Sequence, residues 1–315
     1  MSSRQISKKN IVSNIMKEHM NIVSGFISNV NKRADRDVTK YLNFGLELMA
    51  VEIPMIIFIE RTIFESHILK SFNLNQQTYE GEFIYRISGG IMDGIQKKYS
   101  YLKIGHITFV FFNMCDLFLW ESRNMAHKFK LNTGNPNKDT LEYMMVQCQK
   151  SEWMAIATQL NEHNNHESRG CNKSHNDISE FIWIDFGSFH MFQGKIDVFQ
   201  TELYKMRSRV NKRLLNQPKN ACNKITFARC WDPTHVYYGD IYRDVNWLFA
   251  GSIFGGSISA IHIFALKMRE KCLQVLREKN TLMWEINIWV LIFRESEELF
   301  SMYPSDHSEI IFRGY

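Results

Sequence analysis

The sequence predicts an α/β fold on a parallel sheet, and three observations carry that prediction. Phe181-Ile182-Trp183-Ile184 runs straight into a lone carboxylate, Asp185, followed by Phe186-Gly187. An apolar run of this length closed by a glycine turn reads as a strand buried on both faces, as in parallel sheets. Near the start, an apolar stretch, an amphipathic stretch and a second apolar stretch have βαβ spacing, which implies parallel pairing and a right-handed crossover. Finally, 315 residues with 45% hydrophobic and 23% charged content suit one large α/β domain or two small ones.

The elements follow in order. Asn21 to Val30 reads as the first strand, and residues 31–37 as a charged loop. A helix is expected from about Val38 to Val51, with Tyr41, Phe44, Leu48 and Met49 on one face. Pro54 closes it, and Met55–Ile59 is a second buried strand. Arg61 to Tyr101 is mixed, with loop signals at Gly89-Gly90 and Gly94. Ile107 to Phe112 reads as strand, Asp116 to Lys128 as helix, and Asn132 to Asn137 as loop. Asp139, with Glu142 three residues on, resembles a capping box opening a long helix. Its core face is Leu141, Met144, Met145, Cys148, Met154 and Ile156, with Lys150 and Glu152 on the other side. Asn161 to Asp177 reads as a polar insertion; its His163, His166, Cys171 and His175 could ligate zinc, although a solvated loop fits as well. Beyond the central strand come a basic helix (Thr201 to Lys219) and short strands at Ile225–Ala228 and Val236–Tyr238. A glycine-bracketed apolar run at 247–256 precedes a helix from Ser257 to Glu278 with Ile261, Phe264, Ala265, Met268 and Cys272 inward. Met283 to Trp289 is an apolar helix containing Glu285, and Leu299 to Ser308 a closing loop.

The net charge of +5 suits an anionic small ligand, and the absence of a Lys/Arg run with interleaved aromatics argues against nucleic acid. None of the six cysteines forms a CxxC pair, which fits reduced thiols in a cytoplasmic setting. No apolar run is long enough to span a bilayer, and the polar first residues resemble no secretory signal. No G-x-S-x-G elbow, P-loop or HExxH helix is present, so serine hydrolase, P-loop NTPase and zincin chemistry lose their usual support. Gly25 lies outside any GxGxxG pattern.

Asp185 is the leading candidate. At the C-terminal end of a buried strand it sits where open α/β sheets bind ligands, and an unpartnered carboxylate there would cost several kcal/mol. The spacing also fits an Asp that caps the next turn. Lys32, Arg33 and Arg36 follow the first strand, where they could hold a phosphate or simply be solvated. Glu285 in its apolar helix is either matched by a donor or tuned for proton transfer. Gly255 and Gly256 imply backbone packed close to a ligand or to another strand. His307 after Asp306 suits a metal, a phosphate or an ordinary surface loop.

Four stretches in this order resemble the HtrL/YibB family, a glycosyltransferase-A-like group of bacterial and viral proteins. They are Asn137 to Tyr143 with Lys150 and Glu152; Phe181 to Gly187 with His190; Phe249 to Gly256; and Trp284 to Trp289 with Tyr303, Asp306 and His307. A weaker block is Val23 to Tyr41, and the resemblance covers roughly residues 20–312. It implies a single Rossmann-like domain of glycosyltransferase-A type, with a mixed, mainly parallel sheet flanked by helices. About residues 20–190 would bind the nucleotide sugar and about 191–315 the acceptor. The implied reaction moves a sugar, hexosyltransferase-like, from a nucleotide diphosphate sugar to a glycan or other hydroxyl acceptor. A non-catalytic binding protein on the same fold and a nucleotide-sugar hydrolase are the alternatives. Related enzymes hold a divalent cation (Mn or Mg) on an Asp-x-Asp motif; here the triplet is Asp185-Phe186-Gly187, without the second carboxylate. Either His307 or Asp306 joins Asp185 at the metal, or protein cations such as Lys150 or Arg33 replace the ion on the diphosphate. Under the resemblance, Asp185 orients ribose or metal, Glu285 is the general base, and Gly255 and Gly256 let the backbone approach the sugar.

Overall fold

A computed structural model of the chain describes residues 20–315 apart from 29, 31–36, 73–77, 88, 90–93, 128–131, 133, 169–178 and 217–222, with the backbone alone at 165–168. Lys32, Arg33 and Arg36 lie outside the described residues, as does most of the candidate zinc set.

The described residues form a nine-stranded sheet in the order β3-β4-β5-β2-β1-β6-β8-β7-β9. The strands are β1 (Met20–Phe26), β2 (Met55–Ile59), β3 (Thr78–Arg86), β4 (Gln96–Ile104), β5 (Ile107–Phe111), β6 (Glu180–Ile184), β7 (Ile225–Arg229), β8 (Phe249–Ser257) and β9 (Phe300–Pro304). Five longer helices flank them, α1 (Val38–Met49), α2 (Leu141–Ser168), α3 (Ile196–Asn216), α4 (Ile258–Lys279) and α5 (Glu285–Glu295), besides short helical turns such as Arg61–Ile63. Side chains alternate along the central strands, so each face carries its own core. Ile22, Ile57 and Ile182 meet α1 and α3 on one face, while Val23, Phe58 and Trp183 meet α2, α4 and α5 on the other.

The sheet is mixed, not mainly parallel. Its centre, β5-β2-β1-β6, is parallel. Antiparallel pairs flank that centre, β3–β4 and β4–β5 on one side and β6–β8 and β8–β7 on the other, while β9 returns parallel to β7. The β3–β4 hairpin fills much of the stretch that the sequence leaves unassigned. As an edge strand β3 shows water most of its residues, with only Phe83 and Tyr85 buried, so it carries little apolar signal.

Three local expectations fail for identifiable reasons. Residues 116–128 form no long helix; within the described part there are short 3₁₀ turns at Met114–Asp116 and Arg123–Met125. There Lys97 Nζ donates to Asp116 O at 2.7 Å and Arg123 to Trp120 O at 2.6 Å, claiming carbonyls that a helix would need. Val236–Tyr238 is not a strand, because Asp232 caps a 3₁₀ turn with Pro233 at its start. The closing loop instead contains β9, an edge strand on β7.

Where α2 meets α4, Thr158 Oγ1 donates to Ala155 O (2.8 Å) and lies 2.9 Å from His262 Nε2, so the ring nitrogen carries the proton. Burial depresses the His262 pKa below the ordinary value, against an opposing pull from Glu162 and Glu152. A depressed histidine keeps its stabilising share above the unfolded-state pKa of about 6.5 and loses it as pH falls through the folded value. His262→Gln is therefore expected to narrow the loss of melting temperature between about pH 7.5 and about pH 5.5. An unchanged loss would remove His262 from the acid sensitivity.

Candidate functional site

Strand order reverses at the centre of the sheet. From β1 the chain crosses through α1 to β2 on one side, while β6 pairs with β1 on the other. Such a switch point leaves a crevice beyond the C-terminal strand ends. The crevice here has about 870 Å³ of empty space, counting its open mouth. Gly25 and Phe26 at the end of β1, Tyr41 of α1, Lys138 and Lys150, and Asp185 beyond β6 line it.

Stacked rings set its floor. Trp153 of α2 lies on Trp183 (centroids 5.7 Å, planes 14° apart) and on Phe58 (5.5 Å, 15°). Trp183 and Phe254 are direct cross-strand partners between β6 and β8. Each buried indole contributes about 4–6 kcal/mol by area, so the floor is stiff. A Cβ at Gly25 would come within 2.7 Å of the Trp153 ring, so only glycine lets the indole lie against β1. Ser24 Oγ donates to Ile184 O at 2.6 Å and ties β1 to β6.

Asp185 stands on this floor. Its backbone N–H donates to Ser252 O (3.0 Å), and its Oδ1 accepts from Trp183 Nε1 (2.7 Å) and pairs with Lys150 Nζ (2.9 Å). Its side chain stays 36% exposed toward the crevice. Lys150 Nζ also bonds Glu285 Oε1 (2.8 Å) and Gly251 O (2.9 Å). Three acceptors use the three ammonium hydrogens. Burial works against the charged lysine, but the Asp185 and Glu285 carboxylates outweigh it and hold its pKa above the ordinary value. Lys150 is therefore a fixed cation between two carboxylates, only one of which faces the crevice.

Several expectations change at this point. Lys150 and Glu152 do not sit on the outer side of α2: they are 3% and 4% exposed, and Glu152 pairs with Arg269 of α4. Asp139 does not cap α2. Thr140 does, accepting from Tyr143 N at 3.2 Å, while Asp139 Oδ1 accepts from the Trp284 indole at 2.8 Å. Glu285 opens α5 and is 4% exposed behind Lys150, outside the crevice lining, so its place is that of a buried partner and not of a base facing substrate. Gly255 and Gly256 sit between β6 and β7, where added Cβ atoms would strike Ile182 Cα (2.9 Å) and Lys224 O (2.8 Å); their closeness is to neighbouring strands, not to a sugar. His307 packs edge-to-face on Trp247 at 4.5 Å and does not join Asp185. Trp247 in turn meets Trp284 (5.5 Å), and Lys138 Nζ, 5.6 Å from the Trp284 centroid, reaches the crevice rim.

The donors at Asp185 do not fit a conventional divalent site. A hard cation takes several oxygen ligands, yet the Asp185 Oδ1 position is held by an ammonium and an indole N–H. Among the described residues, no three His, Cys, Asp or Glu side chains gather as a metal set. No helix of the described residues is long and apolar enough to cross a membrane.

In comparisons of its sequence, the chain matches no protein-family model and no curated protein.

Sequence reasoning missed Trp183, Gly251 and Lys138 as site residues. Trp183 was within reach, since positions i and i+2 of a strand share a face and an indole N–H can donate to a carboxylate there. Gly251 acts through its carbonyl and through its missing Cβ, which would overlap Glu285 Oε1. Neither property has a one-residue signal.

Proposed function

We propose that the chain transfers a sugar from a nucleotide diphosphate sugar to a hydroxyl acceptor, as its resemblance to the HtrL/YibB group implies. One observation carries the reading: a single carboxylate, fixed through one oxygen by Trp183 and Lys150, faces a crevice at the switch point of the sheet. Asp185 Oδ2 would accept hydroxyl hydrogens from the donor's ribose or sugar. Lys138 at the rim would take the diphosphate, with Tyr41 beside the nucleoside. Lys150 and Glu285 are positioning residues: Lys150 holds Asp185 in place and Glu285 braces Lys150 from behind. Charge on the diphosphate is met by the protein's own cations in this scheme, and no step runs through a metal.

The buried place of Glu285 favours a second reading, a binding protein on the same scaffold, because it leaves Asp185 as the one carboxylate among the described residues that line the crevice. A nucleotide-sugar panel separates the readings, since a ligand at about 100 times its dissociation constant adds about 2.7 kcal/mol of stability. Transfer predicts a raised melting temperature, nucleotide release that depends on acceptor, and loss of turnover by about 10²-fold or more in Asp185→Asn with folding intact. A thermal shift without turnover selects the binding protein, and nucleotide release without acceptor selects a hydrolase. No shift with any nucleotide sugar would end all three.

A further inference from the structure

A second cavity lies under residues 230–248, the connection between β7 and β8, with about 1470 Å³ of empty space counting its open mouth. The connection is long for a compact domain and carries a 3₁₀ turn, Pro233–Tyr237, within it. It is braced from below. Asn287 of α5, fully buried, donates to Ile241 O and Asp244 O (both 2.8 Å) and accepts from Asn246 N (3.0 Å). Asn246 Nδ2 donates to His235 O (3.2 Å), and the Arg294 guanidinium donates to Val236 O (3.1 and 2.5 Å). Buried amides spent on a surface loop fix the side chains it presents.

Those side chains are aromatic and acidic. Trp231, His235 and Tyr238 stand at mutual centroid distances of 5.8–5.9 Å, with planes 63–89° apart. Trp247 forms another part of the lining, and Asp232 and Asp244 supply the carboxylates. Among the described residues that line it there is no Lys or Arg. Hydrogen bonds from the Thr234 backbone and hydroxyl hold the Asp232 carboxyl below its ordinary range, so it is charged at neutral pH. Tyr238 is 63% exposed despite its size. Steeply crossed rings beside the ionised Asp232 and the side chain of Asp244, with no Lys or Arg among the described lining residues, match the chemistry of a positively charged organic group and not of a phosphate.

We propose that this cavity binds an organic ammonium group, the rings taking its N-alkyl face and Asp232 and Asp244 its charge. The assignment is independent of the transferase reading, because the cavity shares none of the lining of the Asp185 crevice. The ammonium can come from a small free molecule or from a lysine-type side chain.

Calorimetric titration of the full chain tests it with four probes: choline, an Nα-acetyl-trimethyllysine amide, the neutral choline isostere 3,3-dimethylbutan-1-ol, and methyl glucoside. Both cations are expected to bind at least about tenfold tighter than the neutral isostere. Preference between them identifies the source. Tyr238→Ala, at an exposed position, and Asp244→Asn, which keeps an oxygen for Asp240 N, should each weaken cation binding about fivefold or more without moving the melting temperature. Equal binding of the neutral isostere, tighter binding of the glucoside, unchanged affinity in both variants, or no cation binding at millimolar concentration would each overturn the assignment.

Discussion

Lys150→Met is expected to destabilise the protein by about 3–5 kcal/mol, the usual cost of stripping one partner from a buried ionic cluster. Methionine nearly matches the lysine stem in volume, so packing changes little and charge decides the outcome. The two carboxylates lose differently. Asp185 keeps the Trp183 indole and remains 36% exposed, so water replaces part of what is lost. Glu285 is 5% exposed at its side chain and loses Lys150, its one side-chain hydrogen-bond donor among the described residues. The start of α5 favours a negative charge through its dipole, but by about 1 kcal/mol, too little to offset the loss. Most of the cost thus falls on Glu285, and Lys150→Met/Glu285→Gln should recover the larger part of it. Urea unfolding of the single and double variants measures this, and a single variant within about 1 kcal/mol of the parent would refute the account. Stability and binding then separate. The double variant regains its fold, yet Asp185 has lost one of two side-chain anchors, so ligand affinity in the crevice should stay low.

How far these features could be read from the sequence depends on what type of signal each one leaves. The central strands β1, β2, β5 and β6 are buried on both faces, and their mostly apolar runs place them to within a few residues. The stripe on α4 is equally plain, and all five residues expected to face inward are buried. Edge strands leave no such mark: β3 is mostly exposed and lies in a stretch that reads as mixed, and β9 is a short segment paired on one side that reads as loop. The site follows the same division. Asp185 stands out because a carboxylate ending an apolar run demands an explanation. Lys150 and Glu152 stand in a polar run, Gln149 to Glu152, on a helix whose sides are nearly all covered, and their charge suggests a solvated face. Only the third dimension brings Glu285 to one of them and Arg269 to the other, 135 and 117 residues away. The glycines at 255 and 256 show the limit most clearly. The sequence says that a backbone comes close at each, and what it comes close to is decided by strand order.

Arg269→Met provides the contrast that tells scaffold from site. Arg269 and Glu152 pair between α4 and α2 at 3% and 4% exposure, so removing the guanidinium alone should cost about 3–5 kcal/mol, as at Lys150. This pair, however, is imperfectly satisfied. Arg269 Nε finds no partner among the described residues, and burial together with the nearby Glu152 carboxylate pushes the Tyr85 phenol well above its ordinary range. Replacing both charges, as in Glu152→Met/Arg269→Met, removes two desolvation penalties and leaves mainly the Tyr85 hydroxyl without its acceptor, a cost of about 1–3 kcal/mol against the gain. The double variant should therefore lie within about 1 kcal/mol of the parent, far above the single one, with ligand binding in the crevice unchanged. The equivalent exchange at Lys150 and Glu285 restores stability without restoring binding. If removing Glu152 and Arg269 instead weakens binding as much as removing Lys150 and Glu285, then α2 transmits to the crevice as a whole, and the distinction between a carboxylate anchored for ligand and an ion pair that only joins two helices is lost.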